Sequence, residues 1–364
     1  MSNDDWTRRR FLETSGAVGI GLGVGLTTTG CPEPDPVEDP YADAITTVSM
    51  VGVGANVEDA VRRAIELAGG LDSIEPGQTV FIKPNAVGTV EGAVGFTTSL
   101  AVLQAVIRIV KERDPGWIVV GDRSARLFQS TTVFEETGLG AAALAAGADE
   151  VYPAPTPTQA PDDYVTLQPP AWEETWEEQG GIVALRKVIE ADHLINIPVA
   201  KNHRWAGHSL AMKNLMGCVG DDARDPMHYT QDDADRLSRD IVILNQMFAP
   251  TLTVIDARTC IVNGGPEGML ADGVVTEPGL ILAGSDRVAL DAVGVALVQE
   301  ELSRAEVPDP DARYALLTST DPWAMPQLVH AMDLGLDLAR EHAEVRLTME
   351  DVELGAEIEA RFRA

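Results

Sequence analysis

The chain has 364 residues, 45% of them hydrophobic, which is enough apolar material to bury a large core. Its formal net charge is −30 at pH 7, with 27 basic residues against 57 acidic ones. A surface this acidic repels nucleic acid and anionic lipid headgroups, so it excludes both as direct partners. Only five of the basic residues are lysines, and we therefore expect a lysine inside a compact motif to have a specific role.

Residues 1–31 predict an export signal. The sequence TRRRFL begins at Thr7 and precedes a short, glycine-rich apolar stretch, which is the pattern of a twin-arginine signal. This stretch is too short for a transmembrane helix, which needs about 20 residues. The segment TTGC resembles a lipoprotein processing site, with Cys31 as the lipidated residue and Thr28 where leucine is preferred. We expect the machinery for folded proteins to export the chain, and a lipid on Cys31 to be its only link to the membrane or cell surface. The alternative is cleavage to a soluble exported protein.

The remaining chain divides into three parts. Residues 32–44 alternate prolines with acidic residues and predict an extended tether. In residues 45–305, short apolar runs alternate with longer helical patterns, which predicts an α/β fold with a mainly parallel, or mixed, sheet flanked by helices. Residues 153–180 predict an irregular, proline-rich insertion in this core, and residues 306–364 a C-terminal extension that packs on it.

In chain order, apolar runs of strand length occur in TTVSMVGV, TVFIK, WIVVGD, HLINIPVA, LTVIDA and LILAG, with weaker ones at 151–152 and 343–348. Patterns of helical spacing occupy 57–68, 100–112, 141–148, 182–191, 232–248, 287–302 and 326–341.

Polar side chains follow four of these predicted strands. Because ligands bind beyond the carboxyl ends of parallel strands, we expect these side chains to share one edge of the sheet. The alternative is that they only end the strands in turns, a role that fits asparagine and aspartate but not lysine. The residues are Lys83 and Asn85, Asp122, Lys201 and His203, and Asp256 and Arg258.

The segment that follows the predicted strand HLINIPVA is KNHRWAGHSLAMKN. It has the highest concentration of side chains that can bind ligands or transfer protons. Lys201 and Lys213 are predicted to bind or activate an anionic substrate, and His203 or His208 to transfer protons. Ser209 is the predicted cap of the following helix, whose first N–H groups would also attract an anion. The predicted substrate contacts are Lys83, Asn85, Asp122, Asn214, Arg258 and Gly265, the last because a glycine backbone can approach a ligand closely.

A second interpretation of the same segment is a divalent metal held by His203, His208 and Asp256. The alternative is that no metal is bound and that these histidines form hydrogen bonds only to the ligand or to the backbone. The chain has no CxxC pair, so no iron–sulfur cluster is expected. The sequence does not decide whether Cys218 and Cys260 form a disulfide.

The chain contains the motifs INIPVAKNH, SLAMKNLMG and VIDA, together with KPN at 83–85, GD at 121–122, GGPEG at 264–268 and LAGSDRVALDAVG at 282–294. These motifs and their order resemble the DUF362 family, a set of prokaryotic proteins defined as a domain of unknown function. The resemblance covers residues 48–302. It implies no particular reaction, because none is attached to the family name. Some relatives carry a ferredoxin-like segment whose cysteines this chain lacks, and relatives with twin-arginine signals are familiar.

The expected function is that of an exported enzyme acting on a small anionic substrate at the carboxyl edge of the sheet, with or without a metal. The alternative is a non-catalytic extracytoplasmic protein that binds a metal or an anionic metabolite.

Overall fold

The computed structural model describes residues 44–88, 95–228, 234–265, 273–305, 307, 317 and 321–364. These residues belong to one compact unit, Tyr41–Ala364. The predicted signal, Cys31 and nearly all of the predicted tether lie outside the described residues.

Thirteen strands occur in the described part of the chain, and all but two share one sheet. In chain order they are β1 (Thr46–Gly52), β2 (Thr79–Pro84), β3 (Trp117–Asp122), β4 (Glu150–Pro153), β5 (Tyr164–Leu167), β6 (Ile182–Leu185), β7 (His193–Ile197), β8 (Val199–His203), β9 (Gly207–Ser209), β10 (Leu252–Asn263), β11 (Val274–Thr276), β12 (Leu280–Gly284) and β13 (Val345–Glu350).

The main sheet has the strand order β13-β1-β12-β10-β7-β2-β3-β4, and β5 pairs with β6 in a separate antiparallel sheet. From β10 to β4 all neighbours are parallel, as are β1 and β13. Only β12 in this order runs against both of its neighbours. The predicted fold class, a mainly parallel sheet flanked by helices, is confirmed. Consequently β10, β7, β2 and β3 direct their carboxyl ends to the same edge.

Helices cover both faces of this sheet. They are α1 (Val57–Leu67), α2 (Leu100–Lys111), α3 (Ser130–Glu136), α4 (Leu139–Ala146), α5 (Glu173–Trp176), α6 (Arg186–Glu190), α7 (Ala211–Asn214), α8 (Asp221–His228), α9 (Ala234–Asn245), α10 (Arg287–Arg304), α11 (Pro326–Asp333) and α12 (Gly355–Phe362). Short 3₁₀ turns occupy Pro161–Asp163, Leu215–Cys218, Pro322–Ala324 and His342–Glu344.

Alternation along the strands divides the core into two layers. In β2, Val80 and Ile82 pack with α1, α2 and α4 on one face, whereas Phe81 packs on the other. That second layer contains α7 and α9 to α12. Helix α10 is buried around almost its whole circumference, which its apolar composition permits.

Local sequence signals define where several helices begin. The Asn56 side chain accepts a hydrogen bond from the Glu58 N–H at the start of α1, and Asp286 accepts one from the Ala289 N–H in α10. Ser99 caps α2. Such caps satisfy N–H groups that have no partner inside the helix.

Some predicted elements differ from those observed. The segment predicted as one helix, 182–191, is a strand followed by a short helix. The predicted irregular insertion contains strand β5 and two helical turns. The weak strand predicted at 343–348 is present as β13, and it extends the main sheet by pairing with β1. None of the described helices is both long and apolar enough to cross a membrane.

Candidate functional site

The hairpin of β8 and β9 is the centre of the candidate site. Its register places Asn202 opposite His208. Because successive residues of a strand point to opposite faces, Lys201 and His203 share one face, while Asn202 and His208 share the other. The two faces therefore have different surroundings.

Two of the four predicted strand ends lie inside strands. Lys201 and His203 lie within β8, and Asp256 and Arg258 lie within the long strand β10. The reason is that β10 continues past β7 and goes on to pair with β8. The hairpin thus extends the sheet beyond the edge at which β7 ends.

Lys201 is buried on the first face of the hairpin, with 1% of its surface exposed. Its Nζ donates a hydrogen bond to the Phe96 carbonyl oxygen at 3.3 Å and lies 5.6 Å from the centre of the Phe96 ring. Burial lowers the pKa of Lys201 to about 7, and repulsion from Lys213 and Lys83 adds to this effect against attraction from Asp122. Among the described residues, no carboxylate forms an ion pair with this amine.

Lys213 lies on α7 and is partly buried. Its Nζ is 2.7 Å from the Met216 sulfur, a weak acceptor, and it too forms no ion pair with a described carboxylate. Desolvation and, to a smaller extent, the charge of Arg224 together lower the pKa of Lys213 to about 7. Lys213 also contributes to the lowered pKa of Lys201, so the two amines act on each other.

Lys83 differs from the other two lysines because it has a counter-charge. Its Nζ is 2.7 Å from Asp122 Oδ1, and both side chains are buried. Asp122 Oδ2 accepts a hydrogen bond from the Ala86 N–H at 2.9 Å. Gly217 packs directly on this pair, since a Cβ there would be 2.7 Å from Lys83 Nζ and closer still to Asp122.

His203 is held by the backbone that follows it. Its Nδ1 accepts hydrogen bonds from the N–H groups of Trp205 at 3.3 Å and Ala206 at 3.2 Å. Burial, together with the nearby charges of Lys213 and Lys201, lowers its pKa well below 6.5. The imidazole is therefore neutral at physiological pH.

Helix α8 carries Arg224, whose charge is close enough to Lys213 to lower the pKa of that lysine. Arg224 donates hydrogen bonds to the carbonyl oxygens of Arg123 and Ser124 and forms an ion pair with Asp221. Asp221 also pairs with the Arg123 guanidinium at 2.6 Å. Burial and the charge of Lys213 lower the pKa of His228, on the same helix, to about 4.

The start of α7 is held by Asp291 of α10. Its carboxylate accepts hydrogen bonds from the N–H groups of Ala211 at 2.7 Å and Met212 at 3.1 Å. Asp291 thus takes the role predicted for Ser209, and that prediction is wrong. Because these N–H groups already bind a carboxylate, they are not available to a substrate anion.

His208 lies on the second face of the hairpin, next to Asp291. Its Nε2 is 4.0 Å from Asp291 Oδ2, and neither ring nitrogen hydrogen-bonds to a described residue. Burial lowers the pKa of His208 to about 3 and raises that of Asp291 to about 7. The structure does not bring His208 to the lysines, with which it was predicted to act.

The geometry does not assemble the predicted metal ligands. His203 and His208 point to opposite faces of the hairpin. The Asp256 carboxylate accepts hydrogen bonds from the N–H groups of Ser99 and Arg258. Across the described ranges, no three His, Cys, Asp or Glu side chains are close enough to hold a metal ion. Cys218 and Cys260, which could have formed a disulfide, are both free and buried.

Most of the other residues predicted to contact the substrate form hydrogen bonds to other parts of the protein. Asn214 donates to Asn196 Oδ1 at 2.7 Å, and the Arg258 guanidinium donates to the Ser99 hydroxyl at 3.0 Å. The Gly265 N–H donates to Asn202 Oδ1 at 3.0 Å, so its close backbone approach is to the hairpin.

The side chain of Asn85 has a buried oxygen that accepts no hydrogen bond from the described residues. Its backbone N–H donates to the Ile197 carbonyl oxygen and to the Thr98 hydroxyl. Its side-chain Oδ1 is buried and has no hydrogen-bond partner among the described residues. Asn85 therefore retains an acceptor that a ligand could use.

A family model described as a domain of unknown function, DUF362, matches residues 80–296. That is more than half of the chain. The chain belongs to the DUF362 family.

The DUF362 protein is similar to a thylakoid-associated protein of Synechocystis sp. (strain ATCC 27184 / PCC 6803 / Kazusa). The two are 28% identical over 169 residues, which cover 42% of this chain and 51% of the relative. The chain thus spans about half the length of that relative.

Two solved structures resemble this DUF362 protein at 12% sequence identity each. The lactate racemase apoprotein from Thermoanaerobacterium thermosaccharolyticum has a TM-score of 0.40, covering 68% of this chain and 56% of that one. A protein from Thermotoga maritima has a TM-score of 0.37, covering 58% and 51%. Similarities at this level carry no conclusion about function.

Sequence analysis missed several residues of this site. Arg224 and His228 are four positions apart in DDARDPMH, so they share a helix face, and that spacing could have marked them. Asp291 meets α7 across 80 positions of sequence, and Phe96 meets Lys201 across 105. No local pattern marks such contacts.

Proposed function

We propose that this DUF362 protein binds a small anion between Lys201 and Lys213 and exchanges a proton with it. The observation that supports this is the absence of a carboxylate partner for either amine among the described residues, in a protein whose net charge is −30. Burying an ammonium without a counter-charge is costly. An anionic ligand would supply the missing charge.

The two amines are suited to different tasks. With pKa values of about 7, one can be charged while the other is neutral near physiological pH. A charged amine binds the anion, and a neutral amine accepts a proton from it. The paired Lys83 and Asp122 contribute no net charge, so the positive charge available to the anion comes from Lys201 and Lys213 together with the two arginines that share Asp221.

Binding of acetate and malonate, measured by isothermal titration calorimetry, tests the anion site. We expect Lys201→Met and Lys213→Met each to weaken binding by about 10- to 100-fold, because each removes a charge-assisted contact. Lys111→Met removes an exposed lysine on α2 and serves as the matched control. Acetate affinity should fall by about tenfold per pH unit above pH 7, as the ammonium form is lost. Wild-type affinity in both site variants would contradict the proposal.

Deuterium exchange tests the proton transfer. The methylene protons of malonate exchange with D₂O, and NMR follows their loss. We expect the wild-type protein to accelerate this exchange and Lys213→Met or Lys201→Met to abolish the acceleration. Binding without acceleration would leave a non-catalytic binding protein, which is the alternative function.

We also propose that the chain is exported by the twin-arginine route and anchored by a lipid on Cys31. The pattern TRRRFL and the segment TTGC support this. We expect the double variant Arg8→Lys/Arg9→Lys to remain in the cytoplasm, and Cys31→Ser to leave the membrane fraction. Cell fractionation with immunoblotting measures both, and Arg10→Lys is the control. Unchanged fractionation of either variant would contradict the corresponding half of the proposal.

A further inference from the structure

The backbone around His203 determines which of its ring nitrogens carries the proton. Trp205 and Ala206 both direct backbone N–H groups at Nδ1, at 3.3 Å and 3.2 Å. A backbone amide nitrogen can only donate, so Nδ1 must be the acceptor and cannot carry a proton. A neutral imidazole then carries its single proton on Nε2.

The protonated nitrogen, Nε2, can donate a hydrogen bond to a ligand bound on the face of the hairpin that carries Lys201. His203 lies two positions from Lys201 on the same strand face, which separates their Cα atoms by about 6–7 Å. No described residue accepts a hydrogen bond from Nε2. The surrounding groups on the packed elements are Lys201, Lys213, His228 and Arg204, and none of these is an acidic acceptor.

We infer that His203 is a fixed hydrogen-bond donor through Nε2–H, and that the site selects small carboxylates bearing a hydroxyl or carbonyl oxygen next to the carboxylate. This rests on the proposed anion site, because Lys201 and Lys213 hold the charged end. A base is not available at Nδ1, so His203 does not accept the substrate proton. It binds the uncharged oxygen, and the proton transfer belongs to the lysines.

This changes the role that the sequence suggested for the histidine. A donor of fixed orientation hydrogen-bonds the hydroxyl oxygen of such a ligand. Where a carbonyl stands there instead, the donor favours the negative charge that the carbonyl oxygen gains when a proton leaves the carbon next to the carbonyl. A ligand without that oxygen would leave the Nε2–H unsatisfied in a buried site, which costs binding energy.

Imidazole ¹⁵N spectra test the tautomer directly. The His203 signal is identified by its loss in His203→Gln. We expect Nε2 protonated and Nδ1 unprotonated throughout pH 6–9. A proton on Nδ1, or titration of His203 within this range, would overturn the inference whether or not anions bind.

Ligand selectivity tests the substrate class, with glycolate and acetate as probes that differ by one hydroxyl group. We expect the wild-type protein to bind glycolate about 3- to 10-fold more tightly. His203→Phe should remove this preference, and His203→Gln, which keeps an amide donor, should restore part of it. His330→Gln, a surface histidine on α11 that contacts Asp235, is the control and should leave the preference unchanged.

The outcomes separate the two proposals. Equal binding of both probes by the wild-type protein overturns the donor role and leaves the anion site standing. A preference that survives in His203→Phe also overturns the donor role. If neither probe binds although the Nε2–H tautomer is observed, the substrate class fails because the proposed anion site itself has failed.

Discussion

Replacing Gly217 by alanine is expected to destabilise the protein by about 3–5 kcal/mol, the cost of disrupting a buried ion pair. The added Cβ would be 2.7 Å from Lys83 Nζ and would overlap Asp122 Oδ1. Neither side chain has room to retreat, because both are buried and Asp122 also holds the Ala86 N–H. Urea denaturation of the wild-type and variant proteins measures the loss as a change in the free energy of unfolding.

Gly54→Ala is the matched control for this prediction. A Cβ at Gly54 meets nothing within 4 Å, so we expect a change within about 0.5 kcal/mol. A Gly217→Ala variant as stable as Gly54→Ala would mean that the Lys83–Asp122 pair is not packed as described. Because these charges also act on Lys201, the variant should alter anion binding as well.

Lys201→Met is expected to change how stability depends on pH. In the folded protein the pKa of Lys201 is about 7, whereas in the unfolded chain a lysine titrates near 10.4. Between these values the unfolded chain binds one more proton than the folded protein. The contribution of Lys201 to the free energy of unfolding therefore rises with pH, by about 1.4 kcal/mol per unit from pH 7 to pH 10.

Below pH 7 the lysine is protonated in both states, so its full desolvation penalty weakens the wild-type protein. Methionine has no such penalty, and we expect Lys201→Met to be more stable than the wild-type protein at pH 6–7 and to lose this advantage towards pH 10. Urea denaturation at several pH values measures the difference, in which the titration of the groups that Lys201 does not influence cancels. Lys111 is exposed, so the difference in free energy of unfolding between Lys111→Met and the wild-type protein should not change with pH. If the difference between Lys201→Met and the wild-type protein does not change with pH, the conclusion that this amine is buried without a carboxylate partner among the described residues is contradicted.

Much of the fold was predictable from local patterns. The alternation of apolar runs with helical spacing identified most of the sheet, because strands and helices bury residues with different periods. The segment 182–191 was misjudged, since a short apolar run next to a short helix has no clear period. The pairing of β13 with β1 joins segments about 300 positions apart and has no local signal.

The site was predicted less completely than the fold. The prediction included five residues that interact in the structure. Lys83 pairs with Asp122, and the charges of Lys201 and Lys213 lower the pKa of the neutral His203. The structure places His203 and His208 on opposite faces of the hairpin, and Asp291 instead of Ser209 accepts hydrogen bonds from the first N–H groups of α7. Both depend on which face of a strand a residue occupies and on what packs against it.

The sequence by itself determined the α/β class, the family and the scarcity of lysine that directed attention to Lys201 and Lys213. Tertiary structure alone decided that Lys83 has a carboxylate partner, whereas Lys201 and Lys213 have none within the described part of the chain. It also decided that His203 faces the lysines and His208 does not. The physical reason is that the protonation and pairing of a charge depend on burial and on distances of a few ångströms. Strand register and packing between distant segments set those distances, and spacing along the chain does not encode them.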